Sequence, residues 1–293
     1  MLRIAPVPLS IPEKGETFLT LDFNRSVIEE FRANNGRVGG MFEGARLLLL
    51  TTTGARSGRP HTVPLGALPD GDRTLVIASA MGSDRHPAWY RNILADPEVT
   101  VEDGLFVHRA RAAVLEGEER DRLFARAVEA DPGWGEYQAR TSRVLPVVAL
   151  TTVSVEPPQV SGGEFLAAAH AGIRRELELI RAEVARSGPG ALGAQLRANC
   201  LALCRGVHAH HTGEDTMMFP ALAERHPEIR PQLDRFAAEH EKVAAMIAAL
   251  KEAVSDPGGE GEAVLAEVDR LIADLGAHFD EEERWLTALL DGA

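Results

Sequence analysis

The chain changes its hydrophobic period once, near residue 160. Before that point apolar positions come in short runs bounded by turn residues. Leu47-Leu48-Leu49-Leu50 followed by three threonines reads as a buried strand. His61–Leu65, Thr74–Ser79, Val99–Val101 and Phe106–Leu115 continue the series, Asp70-Gly71 marks a hairpin, and Val144–Val155, interrupted at Pro146, closes it. Helical spacing appears over Phe23–Asn34, Pro87–Leu94 and Glu118–Glu129. Many short strands with few helices predict a small barrel. Beyond residue 160 apolar residues recur every three or four positions through four long segments: Glu164–Arg186, Leu192–Arg225, Ile229–Val254 and Glu262–Leu290. Four amphipathic helices with short connections predict an antiparallel bundle. Pro157-Pro158 and Gly162-Gly163 mark the break. The expected organisation is therefore a barrel over 1–156, a linker over 157–163 and a four-helix bundle over 164–293.

Composition narrows the options. With 293 residues, 45% apolar and 26% charged, the chain is long enough for two cores of ordinary globular character. No apolar run approaches the ~20 residues of a membrane span, and the N-terminus lacks a basic region followed by an apolar one, so neither an integral membrane segment nor a signal peptide is expected. Cys200 and Cys204, four apart in one predicted helix, make no disulfide framework and suit a reducing cytoplasm. Charge is uneven: residues 1–156 hold 18 basic against 21 acidic side chains, a net of −3, and the remainder 13 against 23, a net of −10. Nucleic-acid binding needs a basic face, so it is not expected.

Seven of the ten histidines lie in the second half. His208, His210, His211, Glu214 and Asp215 fall within eight residues. At about 100° per residue, His210 and Glu214 share a face with Leu203, Val207 and Met217, while His211 lies on the flank and His208 points away. The other helices each carry an inward histidine. His170 lies with Leu166, Ile173 and Leu177; His240 with Phe236, Val243 and Ile247; His278 with Leu271, Leu275, Trp285 and Leu289. Glu282 falls on the His278 stripe, with Glu281 and Glu283 to either side. One histidine on an apolar face is ordinarily a satisfied core residue. Four on four helices, two followed at i+4 by glutamate, call for a metal, because buried charge is costly unless paired or coordinated. Imidazoles and carboxylates converging in a bundle suit iron. Cys200 and Cys204 flank this face and read as packing residues, and His226 as a loop residue.

In the first half the chemistry sits in the turn Gly54-Ala55-Arg56-Ser57-Gly58-Arg59-Pro60. Glycines at 54 and 58 let backbone approach a ligand, and Arg56, Ser57 and Arg59 offer two guanidinium forks and a hydroxyl to phosphate or carboxylate oxygens. His61 and His108, on predicted strands, read as ordinary side chains.

Both halves resemble known families. Thr52–Leu65, Ala78–Ser83, His86–Pro97 and Tyr137–Arg143 ahead of Pro146-Val147 resemble the deazaflavin-dependent nitroreductase family, over roughly residues 20–155. The resemblance implies a split β-barrel of the FMN-binding split-barrel-like kind. It would bind reduced coenzyme F420 and pass a hydride to a quinone, nitroaromatic or other electron-poor organic acceptor. By motif match, Arg56, Ser57, Gly58 and Arg59 hold the phosphate and acidic tail, and Thr62, Val63 and Pro64 lie along the deazaflavin. Ala78, Ser79 and Gly82 form the opposite lip, Trp89 closes the groove, and Trp134 and Tyr137 stand over the acceptor as the catalytic-side residues. The family often has lysine where Arg56 stands and a basic residue at Ala55, so some tail affinity is expected to be missing. Hydride transfer is the cofactor's own chemistry.

The second half resembles the hemerythrin-like (HHE) domain through His170-Ala171-Gly172-Ile173-Arg174, His210-His211-Thr212-Gly213-Glu214-Asp215 with Phe219-Pro220, Glu239-His240-Glu241 and His278–Glu283. The resemblance implies a non-haem di-iron centre bridged by Glu214 and Glu282, with His170, His210, His240 and His278 as terminal ligands. An oxygen carrier of this kind has a second histidine one turn after the third-helix one, and here that position is Ala244. This shortfall leaves one iron with an open position or recruits His211 or Glu239, and it argues against reversible oxygen storage. The expected protein is a two-domain cytoplasmic oxidoreductase whose iron domain handles oxygen or peroxide. The alternatives are an oxygen or redox sensor with little turnover, or a barrel that holds FMN. A homo-oligomer is compatible with each.

Overall fold

The computed structural model describes residues 16–156, 160–188, 192–256 and 261–292. Helix α1 (Glu16–Ala33) leads into strands β1 (Leu47–Thr53), β2 (Pro60–Gly66), β3 (Leu68–Asp70) and β4 (Arg73–Ile77). Then come α2 (Ala88–Ala95), β5 (Glu98–Glu102), β6 (Val107–Leu115), α3 (Gly117–Ala130), α4 (Gly133–Ala139) and β7 (Val147–Glu156). The strands form one curled antiparallel sheet in the order β2-β1-β5-β6-β7-β4-β3, the split-barrel architecture expected. β7 starts directly after Pro146, which has no N–H to give a ladder. Two elements escape the hydrophobic pattern: β3 is three residues long, and α4 contains two glycines.

Side chains alternate across β1, which divides the barrel's core in two. Leu48 and Leu50 face inward with Val76, Val101, Ala112 and Val148, and α2 fills this hollow with Trp89 and Ile93. Leu47 and Leu49 face outward beneath Val27 and Phe31 of α1. Farther round the outer face, Leu75, Ile77 and Ala149 lie beneath Leu123 and Phe124 of α3.

The second half is helical: α5 (Gly162–Ser187), α6 (Ala194–Gly213), α7 (Phe219–Arg225), α8 (Arg230–Ser255) and α9 (Gly261–Leu290). Residues 157–159 of the expected linker lie outside the described residues. Its last residues begin α5: Ser161 Oγ accepts from Glu164 N at 3.2 Å while Glu164 Oε2 accepts from Ser161 N at 3.2 Å, a reciprocal cap. Leu177, Ile180, Leu250, Val268, Leu275 and Phe279 fill the bundle's middle. Cys200 and Cys204 are buried there, and burial pushes their thiols up to about 12 and about 11. Such thiols are unreactive packing groups.

Two phase expectations fail. The segment expected as one helix over 192–225 widens into a π turn at Glu214–Met218. The extra residue rotates everything after it, so Met217 is 70% exposed and Met218 packs in its place. Along α9, stepping by four from His278 reaches Glu282 and then Leu286, both wholly buried, which turns Trp285 outward to 43% exposure.

Helices α5 and α6 rest against the barrel through a polar seam. The Arg46 guanidinium, just ahead of β1, meets Glu176 and Glu183 of α5, each at 2.5 Å. Asn199 of α6 donates to Glu183 at 3.1 Å, and Gln195 donates to Asn199 and to Pro69 O, each at 3.0 Å. Arg205 reaches Gly71 O, and Arg175 reaches Ala45 O at 2.9 Å. Desolvation of Arg46 is offset by its two carboxylates, the condition under which a partly buried ion pair is tolerated. Among the described residues no helix is long and apolar enough to cross a membrane.

Candidate functional site

Among the described residues, two clusters of polar groups are left for a ligand to satisfy. The first is the middle of the bundle. His170 from α5, His210 and His211 from α6, Glu214 from the π turn, His240 from α8, and His278 and Glu282 from α9 converge there. Six are at most 5% exposed, and the His210 side chain is 12% exposed. Their ligand atoms fall into two groups, each within 4.8 Å: His170, His210, Glu214 and Glu282 in one, and His211, His240 and His278 in the other. The carboxylates span both. Glu214 turns Oε1 to His210 Nε2 at 3.3 Å and Oε2 to His240 Nε2 at 3.6 Å. Glu282 turns Oε1 to His240 Nε2 and Oε2 to His170 Nε2, both at 3.4 Å, and Oε2 lies 3.3 Å from His278 Nε2.

A second ring of carboxylates fixes the imidazoles. Glu283 accepts from His170 Nδ1 at 2.9 Å, Asp215 from His240 Nδ1 at 2.8 Å, and Glu239 from His278 Nδ1 at 2.8 Å. An ionised carboxylate only accepts, so each Nδ1 is the donor and, in the neutral ring, each Nε2 presents a lone pair. His240 Nε2 and His278 Nε2 then face each other at 3.0 Å, a repulsion that either a cation bound to both or a proton on one ring would relieve. Burial disfavours that proton on His240, but Glu282 and Asp215 outweigh it and raise the ring above its ordinary value. The walls are aromatic: His170 stacks on Phe279 at 4.0 Å, and His211 stacks on His240 at 4.0 Å.

The centre's electrostatics lead to the same requirement. Burial, with His170 beside His210 and His240 beside both, pushes His210 down to about 3 and His211 down to about 2, which keeps both rings neutral with a free lone pair. Burial and the negative Glu282 push Glu214 up to about 10. Burial also raises Glu282, but His170, His240 and His278, to the extent that they carry a proton toward it, outweigh burial and hold that carboxyl below the usual range. Two carboxylates this close cannot both ionise in a dry site without added positive charge. The fit to a metal rests on unpartnered atoms: among the described residues, Nε2 of His170, His210 and His211 and all four oxygens of Glu214 and Glu282 are buried without a hydrogen bond. Those are the atoms a metal would take.

All six bundle residues expected from the sequence are brought together, and His211, placed on the flank by helical phase, joins them. Glu239 is spent on His278 Nδ1. Asp215 and Glu283 carried no sequence signal as supporting groups. His208 is exposed, as expected, and His226 pairs with Glu228 in the turn after α7.

The second place is the rim of the barrel. The turn between β1 and β2 closes through Gly54 N to Arg59 O at 2.8 Å and Gly58 N to Gly54 O at 2.8 Å. A Cβ at Gly54 would lie 2.5 Å from Ser57 Oγ and 3.1 Å from Arg59 O and would crowd the turn, and Gly58 has φ +63°, which favours glycine. Arg56, Ser57 and Arg59 are exposed, and neither guanidinium has a hydrogen bond or ion pair among the described residues. Asn92 of α2, 7% exposed, accepts from Ala55 N and donates to Thr52 Oγ1, each at 3.0 Å. It anchors the turn, a role its helical position did not announce.

The remaining rim residues scatter by strand geometry. Neighbours on a strand point to opposite faces. Thus Val63 packs into the barrel's hollow while Thr62 turns away, its Oγ1 2.8 Å from Thr51 Oγ1. Both can meet one ligand only through the backbone, and β2 is an edge strand with one side outside the ladder. Ala78 is buried and Ser79 partly so, and Gly82 lies under α4, where a Cβ would come 2.7 Å from Tyr137 O. Trp89 is 4% exposed in the barrel core, edge-on to Tyr90 at 6.2 Å, which gives its indole a packing role. Trp134 and Tyr137 are half-buried on α4, 6.1 Å apart, with Trp134 Cζ2 3.6 Å from where a Gly66 Cβ would stand. The Tyr137 hydroxyl makes no hydrogen bond among the described residues.

Comparison with known proteins agrees with this division. Residues 23–152 match the sequence profile of the F420H(2)-dependent quinone reductase family, and residues 161–290 that of the hemerythrin HHE cation binding domain. An F420H(2)-dependent quinone reductase of Mycobacterium tuberculosis (strain ATCC 25618 / H37Rv) is 39% identical over 125 residues, 41% of this chain and 84% of the relative. Among solved structures, an F420-H2 dependent reductase (FDR-A) is 42% identical, covering 36% of this chain and 93% of that one, with a TM-score of 0.34. A structure described as a domain-swapped dimer is 36% identical, covering 47% and 99%, with a TM-score of 0.36. The chain belongs to the F420H(2)-dependent quinone reductase family through its barrel, and its bundle carries a hemerythrin HHE cation binding domain.

Proposed function

We propose that this protein is an F420H2-dependent reductase that passes a hydride to a quinone, nitroaromatic or similar electron-poor acceptor, and that its bundle holds a pair of non-haem irons reacting with oxygen or peroxide. The observation that carries both parts is the set of polar groups left without partners. Among the described residues, Arg56 and Arg59 at the rim have no counter-charge, and Nε2 of His170, His210 and His211 and the oxygens of Glu214 and Glu282 have no hydrogen bonds. Free guanidiniums beside the glycine-built turn suit the cofactor's phosphate and acidic tail. When bound, the reduced deazaflavin supplies the hydride.

The residues do the rest. Arg56, Ser57, Gly58 and Arg59 bind the anionic end. The edge backbone of Thr62, Val63 and Pro64 and the lip of Ala78, Ser79 and Gly82 orient the ring. Trp134 shields the acceptor side from water. The Tyr137 hydroxyl holds a proton at Oη for the acceptor oxygen, since reducing a quinone to a quinol consumes one hydride and one proton for each oxygen-bound pair of hydrogens gained. In the bundle, His170 and His210 would hold one iron and His211, His240 and His278 the other, with Glu214 and Glu282 shared. His211 would fill the gap left by Ala244. The iron pair would supply one-electron chemistry toward oxygen species.

Anaerobic mixing of the protein with reduced F420 and menadione tests the reductase. Recovery of the oxidised-deazaflavin absorbance is expected; no binding and no turnover by folded protein would sink it. Iron analysis of a His210→Ala/Glu214→Ala variant tests the ligand set.

A further inference from the structure

The lip over Ser79–Ser83 has an unusual backbone. Ala80 and Met81 sit at φ 46° and 54°, left-handed values that residues with a Cβ avoid, and Gly82 follows at 82°. Packing of Met81 does not explain this, because its side chain is 55% exposed. Two local bonds contribute, Gly82 N to Ser79 O and Ser83 N to Ala80 O, each at 3.0 Å. A strained turn persists only where its surroundings over-determine it.

Arg143 supplies the constraint. Its Nε donates to Ser83 O at 2.7 Å, Nη1 to Ala78 O at 3.0 Å and Nη2 to Ser79 O at 2.5 Å, so one planar fork gathers three carbonyls from both ends of the turn. Nη1 also lies 3.3 Å from His86 Nδ1. A guanidinium only donates, so that nitrogen accepts and the neutral His86 carries its proton on Nε2. A second tie runs beside the first: Thr141 Oγ1 donates to Asp84 Oδ1 at 2.8 Å, and Arg143 N donates to Thr141 Oγ1 at 3.3 Å. Thr141 and Arg143 both follow α4, the helix bearing Trp134 and Tyr137.

We propose that Arg143 is a positioning residue: it shapes the strained lip and ties it to α4, so that the cofactor's wall and the acceptor's aromatic wall keep one fixed spacing. This rests on the reading that the deazaflavin lies against the lip. The fork geometry separates positioning from charge. A lysine keeps the positive charge but is a point donor that cannot meet three converging carbonyls.

The test compares full-length, iron-loaded wild type with Arg143→Lys, Arg143→Gln and Thr141→Val. The readouts are the Kd for F420 from its fluorescence, KM and kcat for menadione, and hydrogen exchange at the Gly82 and Ser83 amides. Arg143→Lys and Arg143→Gln are both expected to raise Kd at least about tenfold, raise KM with it, and speed exchange at those amides. Thr141→Val should give the same pattern with smaller changes. Recovery of wild-type Kd by lysine would mean charge alone matters and would overturn the proposal, as would unchanged exchange in Arg143→Gln. If the Arg143 variants do not fold, Thr141→Val decides, and wild-type exchange and Kd in that variant would overturn it. If wild type itself binds no F420, the proposed function fails, while lip exchange still judges the role of Arg143.

Discussion

The bundle centre and the barrel rim present their chemistry in opposite ways. In the bundle, Glu282 is wholly buried, and outer carboxylates fix the His170, His240 and His278 rings so that their Nε2 atoms point inward. At the rim, Arg56, Ser57 and Arg59 stand in solvent, and much of what a ligand would meet is backbone. The difference teaches where each site's specificity is stored. A buried polar cluster must be complete before the ligand arrives, because each unsatisfied group costs free energy in the folded protein. An exposed rim can leave charges unpaired at little cost, since water serves them.

The largest effect should break the bundle and spare the rim. The His210→Ala/Glu214→Ala variant is expected to lose at least half its iron by elemental analysis, with the F420 Kd unchanged; wild-type iron content would refute the ligand set, and a changed Kd would show that the sites are not independent. The converse pair follows. Arg56→Ala/Arg59→Ala should weaken F420 binding at least about 100-fold, since hydrogen bonds to charged groups contribute about 1.5–3 kcal/mol each. Its iron content should match wild type, and its binding should depend less on salt.

A smaller change sharpens the bundle side. Asp215→Asn keeps an acceptor for His240 Nδ1 but removes its charge, and outer-carboxylate changes of this type cost about tenfold in metal affinity. Competition with a chelator would measure it, and an unchanged affinity would show that Asp215 does no more than fill space. The smallest effect concerns the metal-free protein. His210 and His211 have folded values pushed down to about 3 and about 2 from 6.5, so below about pH 6.5 the unfolded chain takes up protons that the folded one refuses. Stability should fall on acidification through that window, by about 1 kcal/mol or more before pH reaches about 5. Glu214 acts in the other direction. Its raised value leaves it protonated in the folded state, so its contribution is present below 4.5 and is lost as pH rises toward about 10. Denaturant titrations of metal-free protein should show both wings, and metal loading should flatten them because the cation reverses the charge balance.

Much of this was legible in the chain. The strand series, the helical segments and the four inward histidines follow from period alone, and the turn at 54–60 from its glycines and arginines. Trp285 and Met217 show where period misleads: both lie on the expected apolar stripe, and both are exposed. A small error in helical phase grows along thirty-residue α9, and a single π turn resets the phase of α6. Thr62 and Val63 show a different limit, since a motif names neighbours without saying which faces they serve.

The sequence by itself determined which residues each element could offer, because helical and strand periodicity are local and follow from backbone geometry. His170, His210, His240, His278, Glu214 and Glu282 were fixed at that level. Only the tertiary structure decided who meets whom. The π turn and the arrival of α8 and α9 bring His211 in beside His240 and His278 and assign Asp215, Glu239 and Glu283 to the outer ring. The fork of Arg143 closes on carbonyls 60 to 65 residues earlier, and Arg46 meets α5 from 130 to 137 residues away. No local pattern encodes such meetings, because they depend on how whole elements pack to bury their apolar faces.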